Sequence, residues 1–161
     1  MTRIVVLSDT HIRRGRSRRL PDEVYAALGE ADRIVHAGDV LIPELLDELA
    51  GFAPTTAVLG NNDVELSLPE TDTVDVDGVR ISVIHDSGPR VGRPARLRRR
   101  FPDTDVVIFG HSHLPVCEPG VDGQLLFNPG SPTERRRAPH RTYGVLETDA
   151  GRITRADIVP L

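Results

Sequence analysis

The sequence is divided into short runs of apolar and β-branched residues, and most of these runs end directly before a polar side chain. Runs of this length and composition are typical of buried strands. The predicted strands cover residues 4–7, 33–36, 55–59, 73–76, 79–84, 105–109, 124–127 and 141–146. A chain with so many short strands is predicted to fold around β-sheets.

Helix start signals lie between the early strands. One predicted helix begins at Pro21 and runs to about Leu28, a second begins at Pro43, and a third covers residues 94–100. The alternation of strands and helices in the first third of the chain indicates parallel βαβ units.

The second half of the chain carries hairpin signals instead. Asp77-Gly78 separates two of the predicted strands, and a turn at residues 149–151 divides a further hairpin over residues 147–157. No linker, internal repeat or low-complexity tract interrupts the pattern. The predicted fold class is therefore α/β, with one domain over residues 1–161 built as a two-layer mixed β-sandwich flanked by helices.

The composition is that of an ordinary globular protein, with 39% hydrophobic and 27% charged residues. The 20 basic residues are all arginine, and 24 acidic residues outnumber them to give a net charge of −4. General binding to polyanions is therefore disfavoured. Aromatic residues make up only 4% of the chain, which disfavours a base-stacking module, so nucleic acid is expected only as a substrate.

The cellular location is indicated by two features. Cys117 is the single cysteine, which excludes an internal disulfide and fits a reducing compartment. The apolar run at residues 4–7 is too short for a signal peptide, and no stretch approaches membrane-spanning length. We therefore expect a cytoplasmic protein with no membrane partner.

Side chains with carboxylate, amide or imidazole groups follow several of the predicted strands. Because open α/β sheets bind ligands beyond the carboxyl ends of their strands, these side chains are expected to share one pocket. Each residue alone is more typical of a turn or a helix cap, but the whole set favours metal binding. The set is Asp9, His11, Asp39, Asn61, His85, His111 and His113.

The ligand types narrow the choice of metal. Imidazole and carboxylate groups without thiolates suit Mn, Fe, Ni or Zn rather than a cysteine-rich structural zinc site. Two divalent ions about 3.5–4 Å apart that share one carboxylate would use all the candidate ligands, and such pairs hydrolyse phosphate esters. We expect two divalent ions, with Mn favoured, and a small phosphate ester or nucleotide as the substrate.

The same motifs resemble those of the calcineurin-like metallophosphoesterase superfamily. The resemblance runs from about residue 4 to residue 147, with the motifs in the family's order. Asn128-Pro129-Gly130-Ser131 is similar to the small prokaryotic branch of YfcE-like phosphodiesterases. The other matching motifs are Asp9-x-His11, Gly38-Asp39, Gly60-Asn61-x-Asp63, His85 and Gly110-His111-x-His113.

The resemblance implies a role for each matching position. A hydroxide between the two ions would attack phosphorus in line, and Asp63 would orient its neighbours. The implied ligands of one ion are Asp9, His11, Asp39 and His113. Those of the other ion are Asp39, Asn61, His85 and His111, with Asp39 as the bridge. The implied catalytic set is Asp39, Asn61, Asp63 and His111.

Two positions depart from the family pattern. Many members carry His directly after the ligand Asn, where it protonates the leaving group. This chain has Asn62 there, which cannot act as a general acid, so aryl and other good leaving groups are expected to be favoured. Asp86 stands where the family usually has Gly, and we interpret it as a turn cap rather than a modifier of the second metal.

The remaining residues near the motifs have simpler interpretations. His36 is favoured as a hydrogen-bonded core histidine over a metal ligand, with a ligand carboxylate as its candidate partner. A solvated role is slightly favoured for the arginine clusters, and a basic rim that gathers an anionic substrate is the alternative. In that alternative, Arg13, Arg135 and Asn62 are the candidate substrate contacts.

Three functions are weighed on this basis. A phosphodiesterase is favoured because every ligand position is filled. A phosphomonoesterase would use the same site, and sequence does not separate the two. A non-catalytic scaffold similar to the retromer vacuolar-sorting subunit ranks third, because that protein has a degraded metal site. The resemblance also leaves assembly into a homo-oligomer open.

Overall fold

Ten strands and three helices make up the computed structural model, which describes residues 1–161. The strands are β1 (Thr2–Leu7), β2 (Arg33–His36), β3 (Thr55–Ala57), β4 (Thr71–Val76), β5 (Val79–Ile84), β6 (Val106–Ile108), β7 (Val116–Pro119), β8 (Leu125–Asn128), β9 (Thr142–Asp149) and β10 (Arg152–Pro160). The helices are α1 (Asp22–Leu28), α2 (Pro43–Phe52) and α3 (Arg93–Arg100), and a short 3₁₀ turn covers Val121–Gly123. None of the helices is long and apolar enough to cross a membrane.

The strands form two five-stranded mixed sheets, which confirms the predicted fold class. The first sheet has the order β10-β9-β1-β2-β3, with β1, β2 and β3 parallel. The second has the order β4-β5-β6-β8-β7, with β5, β6 and β8 parallel. The predicted hairpins appear as the antiparallel pairs β4–β5 and β9–β10.

Both faces of β1 are buried, which explains its uninterrupted apolar sequence. Ile4 and Val6 face the core between the two sheets, whereas Val5 and Leu7 face the layer formed by α1 and α2. On the far side of the second sheet, Leu97 of α3 packs in a third cluster with residues of β5, β6 and β8. The layers are therefore helix, sheet, sheet and helix.

Phe127 of β8 fills the space between the sheets. Its side chain is fully buried in the central cluster, and its ring contacts Gly144 of β9. Gly144 has no Cβ, and a Cβ at this position would overlap the Phe127 ring. The approach of the two sheets at this point therefore depends on a large residue facing the smallest one.

Most element boundaries shift by one to three residues from the prediction, and two differences have a clear physical reason. The strand predicted at residues 55–59 ends at Ala57, because the amide of Leu59 bonds the carbonyl of Pro69 outside the sheet. The strand β7 was not predicted, since it contains a proline and has no apolar run. As the edge strand of its sheet it tolerates that proline, because its outer side needs no partner.

We predict that Phe127→Ala lowers the free energy of unfolding by about 3–5 kcal/mol, because it leaves a cavity between the sheets. Urea denaturation measures this change. The control is Val91→Ala, because Val91 is 88% exposed and its truncation should change stability by less than about 0.5 kcal/mol. Equal effects in the two variants would contradict the assigned core.

Candidate metal centre

The polar residues that follow β1, β2, β5 and β6 meet at one edge of the sandwich. Parallel neighbours in each sheet end on the same side, so the loops that follow them lie together. Two overlapping groups of potential ligand atoms result, and the atoms of each group lie within 4.8 Å of one another. The first group is Asp9, His11 and His113, and the second is Asp9, Asp39 and His85.

The two aspartates lie between the histidine rings. Asp39 Oδ2 is 3.3 Å from His11 Nε2 and 3.5 Å from His85 Nε2. Asp9 Oδ1 is 3.5 Å from His113 Nε2 and 3.9 Å from His85 Nε2. Each carboxylate therefore faces imidazole nitrogens on two sides.

Three atoms of the centre have no hydrogen-bond partner. They are Asp9 Oδ1, His11 Nε2 and His113 Nε2, and all three are buried. A buried polar atom without a partner costs free energy, and native proteins contain few of them. Three such atoms that converge on one point fit a divalent cation, because an anionic oxygen and two imidazole nitrogens are the donors that such ions bind.

Asn61 and His111 lie on the solvent side of the centre. Asn61 Oδ1 is 3.0 Å from His85 Nε2 and 3.2 Å from His111 Nδ1. The His111 side chain is 47% exposed, whereas His85 is buried. These two residues therefore border the opening through which a ligand would reach the buried carboxylates.

The pKa values of the centre reflect burial and mutual attraction. Burial alone would raise the pKa of Asp9, but His11, His85 and Ser8 more than offset it, and the pKa is lowered. The pKa of Asp39 is likewise lowered, because contacts with His85 and Asn62 outweigh burial. Burial would lower the pKa of His85, yet the neighbouring aspartates raise it. The aspartates are thus held as carboxylates.

Backbone strain is concentrated at the same residues. Non-glycine residues rarely adopt a positive φ angle, and such outliers cluster at functional sites. Five of the candidate ligands have φ between 47° and 70°, namely Asp9, His11, Asp39, His111 and His113. Sequence patterns do not reveal this feature.

Asp63 holds the backbone around the centre rather than facing it. Its carboxylate accepts hydrogen bonds from the amides of Asp39, Leu41 and Gly60 at 2.7–2.9 Å. Gly60 must approach closely here, since a Cβ at this position would overlap Asp39. The structure therefore assigns Asp63 a positioning contact with the loop that presents Asp39.

His36 lies beneath the centre and contacts no carboxylate within hydrogen-bonding distance. Its Nε2 is 3.0 Å from the hydroxyl of Thr10, and its Nδ1 accepts the amide of Gly38 at 3.2 Å. The hydrogen-bond partner of His36 is therefore the Thr10 hydroxyl and not the ligand carboxylate that was expected. Full burial lowers the pKa of His36 to about 4, so the ring is neutral near pH 7.

Two supporting hydroxyls were missed in the sequence. Ser8 donates to Asp9 Oδ2 at 2.6 Å, and the hydroxyl of Thr10 links His36 to the carbonyl of Asp39. Both residues flank Asp9, and their position next to a candidate ligand was the available signal. Farther along the chain, Ser131 donates to the carbonyl of Asp9 at 2.8 Å, so it fastens the first loop.

The three candidate substrate contacts occupy different environments. The Asn62 side chain and amide both donate to the Asp39 carboxylate at 2.9 Å. Arg135 donates to the carbonyl of Ala138, so its guanidinium is engaged within its own loop. Arg13 lines a cavity that His11 also borders. Asp86 accepts the amide of Gly88, as expected of a turn cap.

Comparison with known proteins gives a consistent result. The sequence profile of the calcineurin-like phosphoesterase superfamily domain matches residues 2–151. A probable metallophosphoesterase of Methanocaldococcus jannaschii is 40% identical over 136 residues, which cover 83% of this chain and 69% of the relative. Phosphoesterases are thus the relatives by sequence.

Solved structures share the fold. A Vps29 single mutant from Entamoeba histolytica superposes with a TM-score of 0.79 at 22% identity, covering 99% of both chains. A Thermotoga maritima protein studied by NMR in solution has a TM-score of 0.74 at 31% identity, covering all of both chains. The fold of this chain is therefore similar to that of the Vps29 structure and to that of the Thermotoga maritima protein.

We predict that the buried His36 makes stability depend on pH. The pKa is about 4 in the folded chain and 6.5 in the unfolded chain, so the unfolded chain binds more protons between these values. The contribution is present above pH 6.5 and is lost as the pH falls. Chelator-treated wild type should lose about 2 kcal/mol of unfolding free energy between pH 7 and pH 5 from this group. His36→Gln should show a correspondingly shallower slope, and parallel slopes would contradict the prediction.

Proposed function

The chain belongs to the calcineurin-like phosphoesterase superfamily, and we propose that it is a dinuclear-metal-dependent phosphodiesterase whose single domain covers residues 1–161. The observation that carries the proposal is the convergence of the unpartnered atoms of Asp9, His11 and His113 beside Asp39. We infer the class of reaction from the family, and we infer the position of the metal ions from these donor atoms.

The distances support a division of the ligands between two ions. The family resemblance gives the shared carboxylate as Asp39, and the distances are compatible with this, because Asp39 Oδ2 is 3.3 Å from His11 Nε2 and 3.5 Å from His85 Nε2. We assign Asp9, His11, Asp39 and His113 to one ion. We assign Asp39, Asn61, His85 and His111 to the other, which would lie nearer the solvent.

Two bound divalent ions would supply an activated water-derived nucleophile and neutralise charge on the phosphoryl oxygens. The protein's own contribution is to hold the ligands in place. Asp63 fixes the backbone that presents Asp39, and the amide of Asn62 fixes one oxygen of its carboxylate. Imidazole and carboxylate donors without thiolate are compatible with Mn, and also with Fe, Ni or Zn.

The residue at position 62 bears on the choice of ester. Asn62 carries no proton that it can transfer, and its side chain amide already donates to Asp39. Esters with good leaving groups are therefore favoured. The same centre would accept phosphomonoesters, and the ratio of rates on mono- and bis-p-nitrophenyl phosphate distinguishes the two activities.

A non-catalytic scaffold is the candidate from a different class of function, because a Vps29 structure shares this fold. A scaffold needs no metal chemistry and tolerates loss of ligands. Here five of the seven candidate ligands are buried, and three of their atoms are unpartnered. This arrangement favours the enzyme.

We predict that the chelated protein takes up two Mn ions per chain and then hydrolyses bis-p-nitrophenyl phosphate. Asp39→Asn should lower kcat/KM by more than about 100-fold, because even residues that only orient metal ligands cost about 10–100-fold. Elemental analysis and initial rates measure the two quantities. Metal uptake without turnover in wild type would support a scaffold, and absence of uptake would contradict both the centre and the enzyme.

The matched control for this substitution is Asp122→Asn. Asp122 is an exposed aspartate with a positive φ angle, as Asp39 has, but it lies in the 3₁₀ turn at the opposite end of β8. This variant removes the same carboxylate chemistry and should retain wild-type turnover and metal content.

We predict that Asn62→His changes the leaving-group preference. A general acid contributes about 10²–10⁴-fold where the leaving group needs a proton. The variant should therefore hydrolyse a dinucleoside monophosphate at least about tenfold faster than wild type, relative to bis-p-nitrophenyl phosphate. Asn62→Ala controls for loss of the hydrogen bond to Asp39. An equal change in the hydrolysis rates of the two substrates would contradict the conclusion that wild type lacks a general acid.

A further inference from the structure

The structure divides the arginines of the loop after β1 into two groups. Arg14 pairs with Glu44 and Glu65, and Arg19 pairs with Asp22. Arg13 and Arg16 form neither an ion pair nor a side-chain hydrogen bond. The charge of the loop is therefore neutralised at some positions and left free at others.

The free arginines face one cavity next to the candidate metal centre. The cavity has a volume of about 360 Å³ and is lined by His11, Arg13, Arg16, Ser17 and Arg18, with no hydrophobic residue. We call this space the arginine pocket. His11 borders both the arginine pocket and the centre, so the pocket adjoins the candidate metal ligands at this residue.

The contacts of neighbouring residues hold the pocket in place. Arg14 donates to both carboxylate oxygens of Glu44 on α2 and to Glu65, which ties the loop to a helix. Arg18 donates to the carbonyl of His11 at 3.3 Å and lies 3.4 Å from Glu134. Glu134 also pairs with Arg136, so its charge is shared between two guanidinium groups.

The lining of the pocket specifies the chemistry of its ligand. Guanidinium groups without carboxylate partners bind phosphate or carboxylate through charge-assisted hydrogen bonds, and a lining without hydrophobic residues offers nothing to an apolar group. A phosphate ester already places one anionic group at the metals. The arginine pocket therefore has room for a second anionic group on the same molecule.

The absence of a general acid at position 62 indicates which chemical group the second anionic group is. An alkoxide leaving group needs a proton, which Asn62 cannot supply. A phosphate leaving group departs without one, because the second pKa of a phosphate monoester is about 6. Two independent features, Asn62 and the unpaired guanidinium groups, thus favour the same leaving group.

We propose that the substrate is a disubstituted pyrophosphate, and that the arginine pocket binds the phosphate that leaves; this inference rests on the proposed function. Water oxygen forms the new bond to one phosphorus, and the bond from that phosphorus to the bridging oxygen breaks. The bridging oxygen keeps the electron pair and stays on the departing phosphate. One water proton passes to solvent, and the other stays on the newly formed phosphate monoester until it dissociates with a pKa of about 6. The products are two phosphate monoesters, and nothing is oxidised or reduced.

The test compares two substrates of the Mn-loaded protein, diadenosine 5′,5′-pyrophosphate and bis-p-nitrophenyl phosphate. In wild type we expect kcat/KM to be higher for the pyrophosphate. In the double variant Arg13→Gln/Arg16→Gln, the ratio of the two kcat/KM values should fall about 100-fold, or about tenfold for each charge-assisted hydrogen bond lost. An unchanged ratio would overturn the inference.

The control is Arg99→Gln/Arg152→Gln, which removes the same charge from exposed positions outside the arginine pocket. It should leave both kcat/KM values within about twofold of wild type. A fall in the ratio for this control as large as that for the pocket variant would assign the effect to net charge and overturn the inference.

A binding measurement tests the pocket without metal or turnover. Inorganic phosphate added to chelator-treated protein should shift the NMR resonances of the Arg13 and Arg16 Nε–Hε groups more than those of Arg14 and Arg19. Equal or absent shifts would overturn the assignment. Wild type that hydrolyses bis-p-nitrophenyl phosphate but not the pyrophosphate would refute this inference alone, whereas hydrolysis of neither would refute the proposed function.

Discussion

The burial of Asp9 and Asp39 is the constraint on which the rest of the structure depends. Both carboxylates lie at the edge where the two sheets meet, and both are almost fully excluded from solvent. A buried carboxylate is costly unless nearby groups offset its charge. Here imidazole nitrogens, the Ser8 hydroxyl and backbone amides surround the aspartates, yet Asp9 Oδ1 has no hydrogen-bond partner. The fold thus maintains a buried anionic site in which one carboxylate oxygen still lacks a partner, and a cation would supply it.

A layer of side chains that hydrogen-bond to the loop backbones and to one another maintains this arrangement. His36 and Thr10 join the loops after β1 and β2, and Asp63 joins the loop after β3 to that after β2. Ser131 adds the loop after β8 by bonding the carbonyl of Asp9. Left-handed backbone at the candidate ligands is stable only when such contacts fix it. The positions of the candidate metal ligands are therefore set by residues that are not themselves candidate ligands.

Much of the fold and of the convergence was predictable because both depend on local patterns. Apolar runs that end in polar residues indicated parallel strands with a shared loop edge, and the two sheets follow that expectation. The edge strand β7 was not predictable, because its single neighbour β8 stabilises a segment without an apolar run. The partner of His36 was also not predictable, because the choice between Thr10 and a carboxylate depends on loop geometry. The separation of paired Arg14 from unpaired Arg13 and Arg16 similarly depends on the distant Glu44 and Glu65.

The central claim is that the buried carboxylates hold two ions that share Asp39. The most direct test is a crystal structure of Mn-loaded protein, with anomalous scattering used to locate the ions. We expect two peaks about 3.5–4 Å apart with Asp39 between them. Asp9, His11 and His113 should surround one peak, and Asn61, His85 and His111 the other. A single peak, or two peaks without Asp39 between them, would contradict the account.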